Sequence, residues 1–269
     1  MCLPENDDME DVDVANRKMA LPMIVGQMPC GLSLVRNLAK LPQLLIVGAA
    51  GQGKSVFLHS LICSLIQNKA PEEVRFVLMD PYGTEFKVYG VLPHLYAPIV
   101  HNAREGVKAL KKVEEEMDRR FKMFMAAKCR DIVTFNEGSD KAKLPCLVVV
   151  VDELSDFMLP GQKRFLALSS RIAALGRAAG IHLVMATSRP ARNVIPAELK
   201  VNFPARLAFT VSCQVDSQTI LDADGAELLD GFGDALFRDS TGELIHLQAP
   251  YIDDKDVERI VAEAVHKVR

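Results

Sequence analysis

The chain predicts a mostly parallel, doubly wound α/β sheet flanked by helices, and three observations carry that prediction. Short, solid apolar runs at residues 44–47 and 147–151 read as strands buried on both faces. Amphipathic helical stretches alternate with such runs, the order that feeds a parallel sheet. Between the first run and the helix after it lies Gly48-Ala49-Ala50-Gly51-Gln52-Gly53-Lys54-Ser55, which fits a glycine, four residues, then Gly-Lys-Ser. In that pattern the glycines let backbone amides turn inward onto phosphate oxygens, and the following helix offers them its positive dipole end.

In chain order, residues 1–14 hold Glu5, Asp7, Asp8, Glu10, Asp11 and Asp13 and no basic residue, the opposite of a signal peptide's start. Residues 1–20 therefore read as an acidic disordered tail or linker. After the strand at 44–47 comes a helix over 55–68 with one apolar face. Residues 74–80 form a strand closed by Pro81. A long helix spans 104–127, with Val107, Leu110, Val113, Met117, Phe121 and Phe124 at three- and four-residue spacings. Its Lys111, Lys112, Glu114, Glu115 and Arg119 read as a solvated face. The strand at 147–151 ends in Asp152-Glu153. A helix over 162–179, strands at 181–186 and 206–211, and a final amphipathic helix over 254–267 complete the count.

Two elements then supply chemistry. Lys54 is placed to reach the β/γ-phosphates of a nucleotide, and Ser55 to hold Mg²⁺. A carboxylate at the carboxyl end of a central parallel strand stands beside the phosphate loop, since such sheets gather their loops at that edge. Asp152 is accordingly the expected Mg²⁺ ligand, direct or through water, and Glu153 the base that orients attacking water. A lone Asp-Glu after a strand also serves as a helix cap, and that alternative stands beside the catalytic one.

The chain has 269 residues, 49% of them hydrophobic, enough for one large α/β unit. No apolar run approaches the roughly 18 residues that mark a membrane helix. The six cysteines (Cys2, Cys30, Cys63, Cys129, Cys146, Cys213) form no C-x-x-C pair, so free thiols in a reducing cytoplasm are expected. A net charge of −3 leaves nucleic-acid binding to local placement.

Further segments bear a family likeness: Met79-Asp80-Pro81, Leu92-Pro93-His94-Leu95, Glu116-Met-Asp-Arg-Arg120, Val151-Asp-Glu153, Arg177-Ala-Ala-Gly-Ile-His-Leu183, Ala186-Thr187 with Arg189-Pro190, Phe209-Thr-Val-Ser212, Asp216-Ser217, Thr219-Ile-Leu-Asp222, Gly225-Ala-Glu227 and Gly233-Asp234. From about Leu21 onward the sequence resembles the motor domain of the FtsK/SpoIIIE DNA translocases. The resemblance implies a RecA-like P-loop NTPase at residues 42–269, preceded at 21–41 by the end of an adaptor segment. The family's membrane-spanning and winged-helix regions have no counterpart in these residues. What it further implies is a hexameric ring that uses ATP and Mg²⁺ to pull double-stranded DNA through its pore, chromosome-segregation machinery of dividing cells. This stretch itself makes no membrane contact.

By match to the family, Arg177 is the expected arginine finger acting across a subunit boundary, with Arg171 second. An exposed arginine favoured by a helix end is the plainer alternative. Arg189 and Lys200 fall where the family places DNA-facing basic residues, Arg192 lies between them, and a third such position falls on uncharged Gln214. Ser188 stands where the family has a glutamine resembling a γ-phosphate sensor, and a serine needs a water to span the gap. Tyr82 and Gln218 replace a lysine and an arginine of the family pattern. A related ring ATPase that moves protein, as in type VII secretion, and a scaffold that binds ATP without useful turnover are the other two readings.

Overall fold

A computed structural model describes residues 19–41, 43–138, 143–158 and 163–267. The acidic stretch at 1–14 and the expected helix start at residue 162 lie outside them. β1 (Pro22–Gln27) and β2 (Ser33–Asn37) open the described chain, followed by β3 (Leu44–Val47), α1 (Lys54–Asn68), β4 (Val74–Met79), a 3₁₀ turn at Lys87–Val91, α2 (Ala103–Ala127) and α3 (Ile132–Glu137). Then come β5 (Cys146–Val151), α4 (Leu154–Phe157), α5 (Lys163–Leu175), β6 (Ile181–Thr187), α6 (Ala197–Lys200), β7 (Ala205–Phe209) and α7 (Gln214–Leu221). β8 (Asp234–Arg238), β9 (Leu244–Gln248) and α8 (Asp254–His266) end it.

The nine strands of the described residues form one sheet in the order β2-β1-β9-β8-β7-β3-β6-β5-β4. From β7 to β4 every pairing is parallel, as the apolar runs predict. The other side is an antiparallel wing that the sequence did not announce. Residues 21–41, expected as an adaptor's end, are built into that wing: β1 meets β9 at Gln27 and Gln248, and Leu21, Met23 and Val25 are fully buried.

Period-two alternation gives the sheet a core on each face. Leu44 and Ile46 point to the face covered by α1 and α8, where Phe57, Leu61 and Ile62 pack with Val257, Ile260 and Val261. Leu45 and Val47 point to the face covered by α2 and α5, with Leu110, Val113, Met117, Phe165 and Ile172. Helix α2 starts where the Asn102 side chain accepts from Glu105 N at 3.0 Å and stops at Lys128 in the left-handed region. Its charges are not all solvated: Glu114 and Arg120 are buried, Glu114 bonded to Arg171 Nη1 and Lys111 Nζ at 2.6 Å each.

The helix expected over 162–179 ends at Leu175, because Gly176 turns the chain where a Cβ would lie 2.6 and 2.7 Å from the carbonyls of Ile172 and Ile181. Residues 176–180 form the turn into β6. The strand expected to run to Val211 ends at Phe209, since the Thr210 carbonyl accepts from Ala49 N at 2.8 Å. Among the described residues no helix is long and apolar enough to cross a membrane, and the five described cysteines are free, with Cys30 and Cys213 exposed.

Candidate active site

β3, β6 and β5 run side by side and in parallel, so their carboxyl ends bring residues 48–55, 187–188 and 152–153 to one edge. The phosphate loop is shaped by close approach. A Cβ on Gly48 would lie 2.6 Å from that of Phe209. Gly53 adopts φ 117°, a left-handed backbone that an L side chain strains, and caps α1 without a side-chain bond. Gly51 has φ 76° and open space where its Cβ would be, leaving a cradle.

Lys54 is buried at the start of α1, and its Nζ donates to the carbonyls of Gly48 at 2.7 Å and Ala49 at 2.9 Å. Burial lowers its pKa, opposed by the charges of Glu153 and Asp152. Those two carboxylates are therefore its electrostatic partners. Asp152 is itself buried and pushed up to about 7, first by burial and then by Glu85, Asp80 and Glu153, with Lys54 pulling back. Such crowding of negative charge is what a dication relieves, and the Ser55 hydroxyl, near Glu85, adds a hard oxygen. Among the described residues no three His, Cys, Asp or Glu side chains are set to hold an ion unaided. Ser55 and Asp152 thus fit Mg²⁺ of the kind that keeps phosphate oxygens and water as its other ligands.

Glu153 holds φ 52°, a left-handed conformation costly for a glutamate. It sits at the cap position of α4, and its side chain makes no cap bond. Its carboxylate instead accepts from Ser155 Oγ at 2.6 Å, Thr187 Oγ1 at 2.8 Å, Ser188 N at 3.0 Å and Ser188 Oγ at 2.6 Å. Burial alone would raise this carboxyl; the donors from Ser155, Ser188 and Thr187 outweigh it and hold the group below its ordinary value. Ser188 therefore spends its hydroxyl on orienting Glu153, which the sequence reading of a water-bridged sensor missed.

Next to the phosphate loop a cleft of about 310 Å³ is lined by Gly51, Ser55, Phe232, Gln248 and Tyr251, among others. Phe232 and Tyr251 are 94% and 82% exposed. The strained tip at 231–233 is pinned by Gly233 N donating to Gln52 O at 3.3 Å and Gln248 Nε2 to Phe232 O at 2.8 Å. These residues come from two loops around β8 and β9, whose adjacency no local pattern reveals.

Other expected residues lie elsewhere. Arg177 follows α5 and precedes β6, whose seven residues span about 23 Å, so it sits at the edge opposite its own phosphate loop. Its side chain is exposed. Arg171, the second candidate, is tied to Glu114 at 2.6 Å and Asp118 at 2.8 Å. Arg189 and Arg192 are exposed in the segment leaving the carboxyl end of β6. Lys200 lies near the amino end of β7, and its Nζ is bonded to Asp222 at 2.6 Å, a carboxylate that also takes Arg206 and Arg238. Arg189 and Lys200 thus stand at opposite edges of the sheet, and the lysine is engaged in an ion pair. Gln214 Nε2 is spent on Asp224 at 2.8 Å.

Comparison with known proteins agrees with this geometry. The model of the FtsK/SpoIIIE family matches residues 6–192. A protein named DNA translocase FtsK from Leptospira interrogans is 40% identical over 255 residues, 92% of this chain and 27% of the relative. The protein of that name from Clostridium tetani is 40% identical over 264 residues, 96% of this chain and 35% of the relative. The chain thus spans about a third of such relatives. Among solved structures, the pCW3 conjugation coupling protein TcpA, in its monomer form with ATPγS, superposes with TM-score 0.82 at 25% identity over 97% of this chain and 73% of that one. The cytoplasmic domain of the type VII secretion ATPase EccC from Thermomonospora curvata superposes with TM-score 0.79 at 23% identity over 91% and 31%. The fold is that of the P-loop ATPases.

Proposed function

The chain belongs to the FtsK/SpoIIIE family, and we propose that it is the motor of an ATP-driven translocase that moves double-stranded DNA through a hexameric ring. The observation that supports this most is the convergence of Lys54, Asp152, Glu153 and Ser188 on one sheet edge beside an open glycine cradle. Relatives bearing the name DNA translocase support the substrate.

The amides of residues 49–55 and Lys54 hold the phosphates, and the cleft between Phe232 and Tyr251 takes the base by stacking. Ser55 and Asp152 would hold Mg²⁺, which when bound would supply positive charge against the negative charge that develops on the phosphates. Glu153 orients the attacking water. Its depressed pKa favours the ionised carboxylate, the form that both orients the water and accepts its proton. Arg177 cannot serve its own site across the sheet, and it supplies its positive charge to the site of a neighbouring subunit.

Arg189 and Lys200 are the proposed contacts to DNA phosphates. Although Lys200 is paired, Lys200, Arg206 and Arg238 share the single carboxylate Asp222, leaving a surplus of positive charge there. Phosphate contacts carry no sequence information, as a motor requires. The test is ATP turnover with and without duplex DNA. Stimulation, lost together with salt-dependent binding in Arg189→Ala, supports the reading. High basal turnover that only peptide alters would replace it with the protein-moving alternative, and no turnover at all with the scaffold.

A further inference from the structure

The turn that carries Arg177 is braced on every carbonyl. Gly176 O accepts from Ile181 N at 2.8 Å, Arg177 O from Gly180 N at 3.1 Å, Ala178 O from Ile132 N at 2.9 Å and Gly180 O from Leu147 N at 2.8 Å. The fifth, Ala179 O, accepts from a side chain: Arg120 Nη1 at 2.8 Å. Arg120 comes from α2 and is 2% exposed, and its Nε donates to Glu116 Oε1 at 2.8 Å. Gly180, at φ +70°, lies against Ile132 so closely that a Cβ in its place would collide with that side chain.

Burying a guanidinium and a carboxylate together costs desolvation that an apolar pair would avoid, so a pair of this kind is weak evidence for stability. Its geometric product is a fork with one tine on Glu116 and one on the turn. A lysine has no such fork. Meanwhile the Arg177 side chain on the same turn is exposed.

We propose that Arg120, held by Glu116, is a positioning residue that fixes the backbone of the 176–180 turn so that Arg177 meets the nucleotide of a neighbouring subunit. The inference rests on the reading of Arg177 as the residue that acts across the subunit boundary. A presented cation gains by a fixed base, since a misplacement of about 1 Å at a reacting centre costs on the order of 10²-fold in rate.

The experiment uses Arg120→Lys and Arg177→Ala, alone and combined. Arg120→Lys should lower kcat on the order of 10²-fold and leave nucleotide affinity unchanged, because its own phosphate loop lies at the other edge. In the Arg177→Ala background it should cost nothing more. Trypsin cleavage after Arg177 should quicken about tenfold as the turn opens locally, with cleavage elsewhere unchanged. Glu116→Gln keeps the side chain's shape and loosens the fork. It should reproduce the pattern at smaller size, and it serves should Arg120→Lys not fold. Wild-type kcat in Arg120→Lys beside a slow Arg177→Ala overturns the inference alone. So does a further loss in the double variant, weakened nucleotide binding, or an unchanged cleavage rate. Wild-type kcat in Arg177→Ala overturns the reading of Arg177, and this inference falls with it.

Discussion

At the carboxyl edge of the parallel sheet, Lys54, Asp152 and Glu153 crowd one another: Asp152 is pushed up to about 7, and Glu153 keeps a left-handed backbone. At the amino edge, the 176–180 turn has all its carbonyls bonded, and Asp222 is gripped by three cations that hold it well below its ordinary pKa against its own burial. Negative charge gathers at the carboxyl edge, where burial and then its acidic neighbours raise Asp152. Satisfied bonds gather where a side chain is to be presented. On the proposed function the carboxyl edge is a socket and the amino edge a plug, as a ring of identical subunits would require.

The largest expected effect belongs to the socket. Lys54→Ala should bring ATP turnover to background, and Glu153→Gln should lower kcat by about 10²–10⁴-fold while nucleotide still binds. Steady-state turnover beside a fluorescent-nucleotide titration checks both. Equal turnover in Glu153→Gln and the parent chain would remove Glu153 from its role.

The two edges should also respond oppositely to pH. Asp152 has a raised pKa, so the metal-free chain loses stability as pH climbs from the ordinary carboxylate range toward 7, and Asp152→Asn should then stabilise it at neutral pH by on the order of 1–3 kcal/mol. Because Mg²⁺ competes with that proton, Mg²⁺-dependent nucleotide affinity should rise from about pH 6 to about pH 8 and lose that dependence in Asp152→Asn. Asp222 has a lowered pKa, so its contribution is present above the ordinary carboxylate range and lost as pH falls through it. Its side chain is half exposed and screened, so Asp222→Asn should cost only about 1 kcal/mol at neutral pH, asparagine tolerating the left-handed backbone there. Thermal melts across pH check the pair, and slopes of the same sign would break the contrast.

The socket was legible in the sequence because its parts are local. A glycine pattern, an apolar run and a carboxylate pair each occupy consecutive residues. The antiparallel wing was not, since β8 and β9 are only five residues each with β9 mostly exposed, and the β1–β2 hairpin gains its place only where β1 pairs with a strand more than two hundred residues later. Phe232 and Tyr251 escaped notice for the same reason. Arg120 and Glu114 were hidden in a charge-rich helix whose polar face reads as solvated, although α5 and the 176–180 turn cover part of it. Lys200 was placed by likeness to a family pattern, which is silent about its pairing with Asp222.

The claim that the two edges complete one another across a subunit boundary has a direct test. Subunits carrying Lys54→Ala keep the plug and lose the socket, and subunits carrying Arg177→Ala keep the socket and lose the plug. Neither should hydrolyse ATP alone at more than a small fraction of the parent rate. Mixed, they should regain turnover, because an intact phosphate loop can then face an intact Arg177. A mixture as inactive as its components, with both still forming rings, would contradict the account.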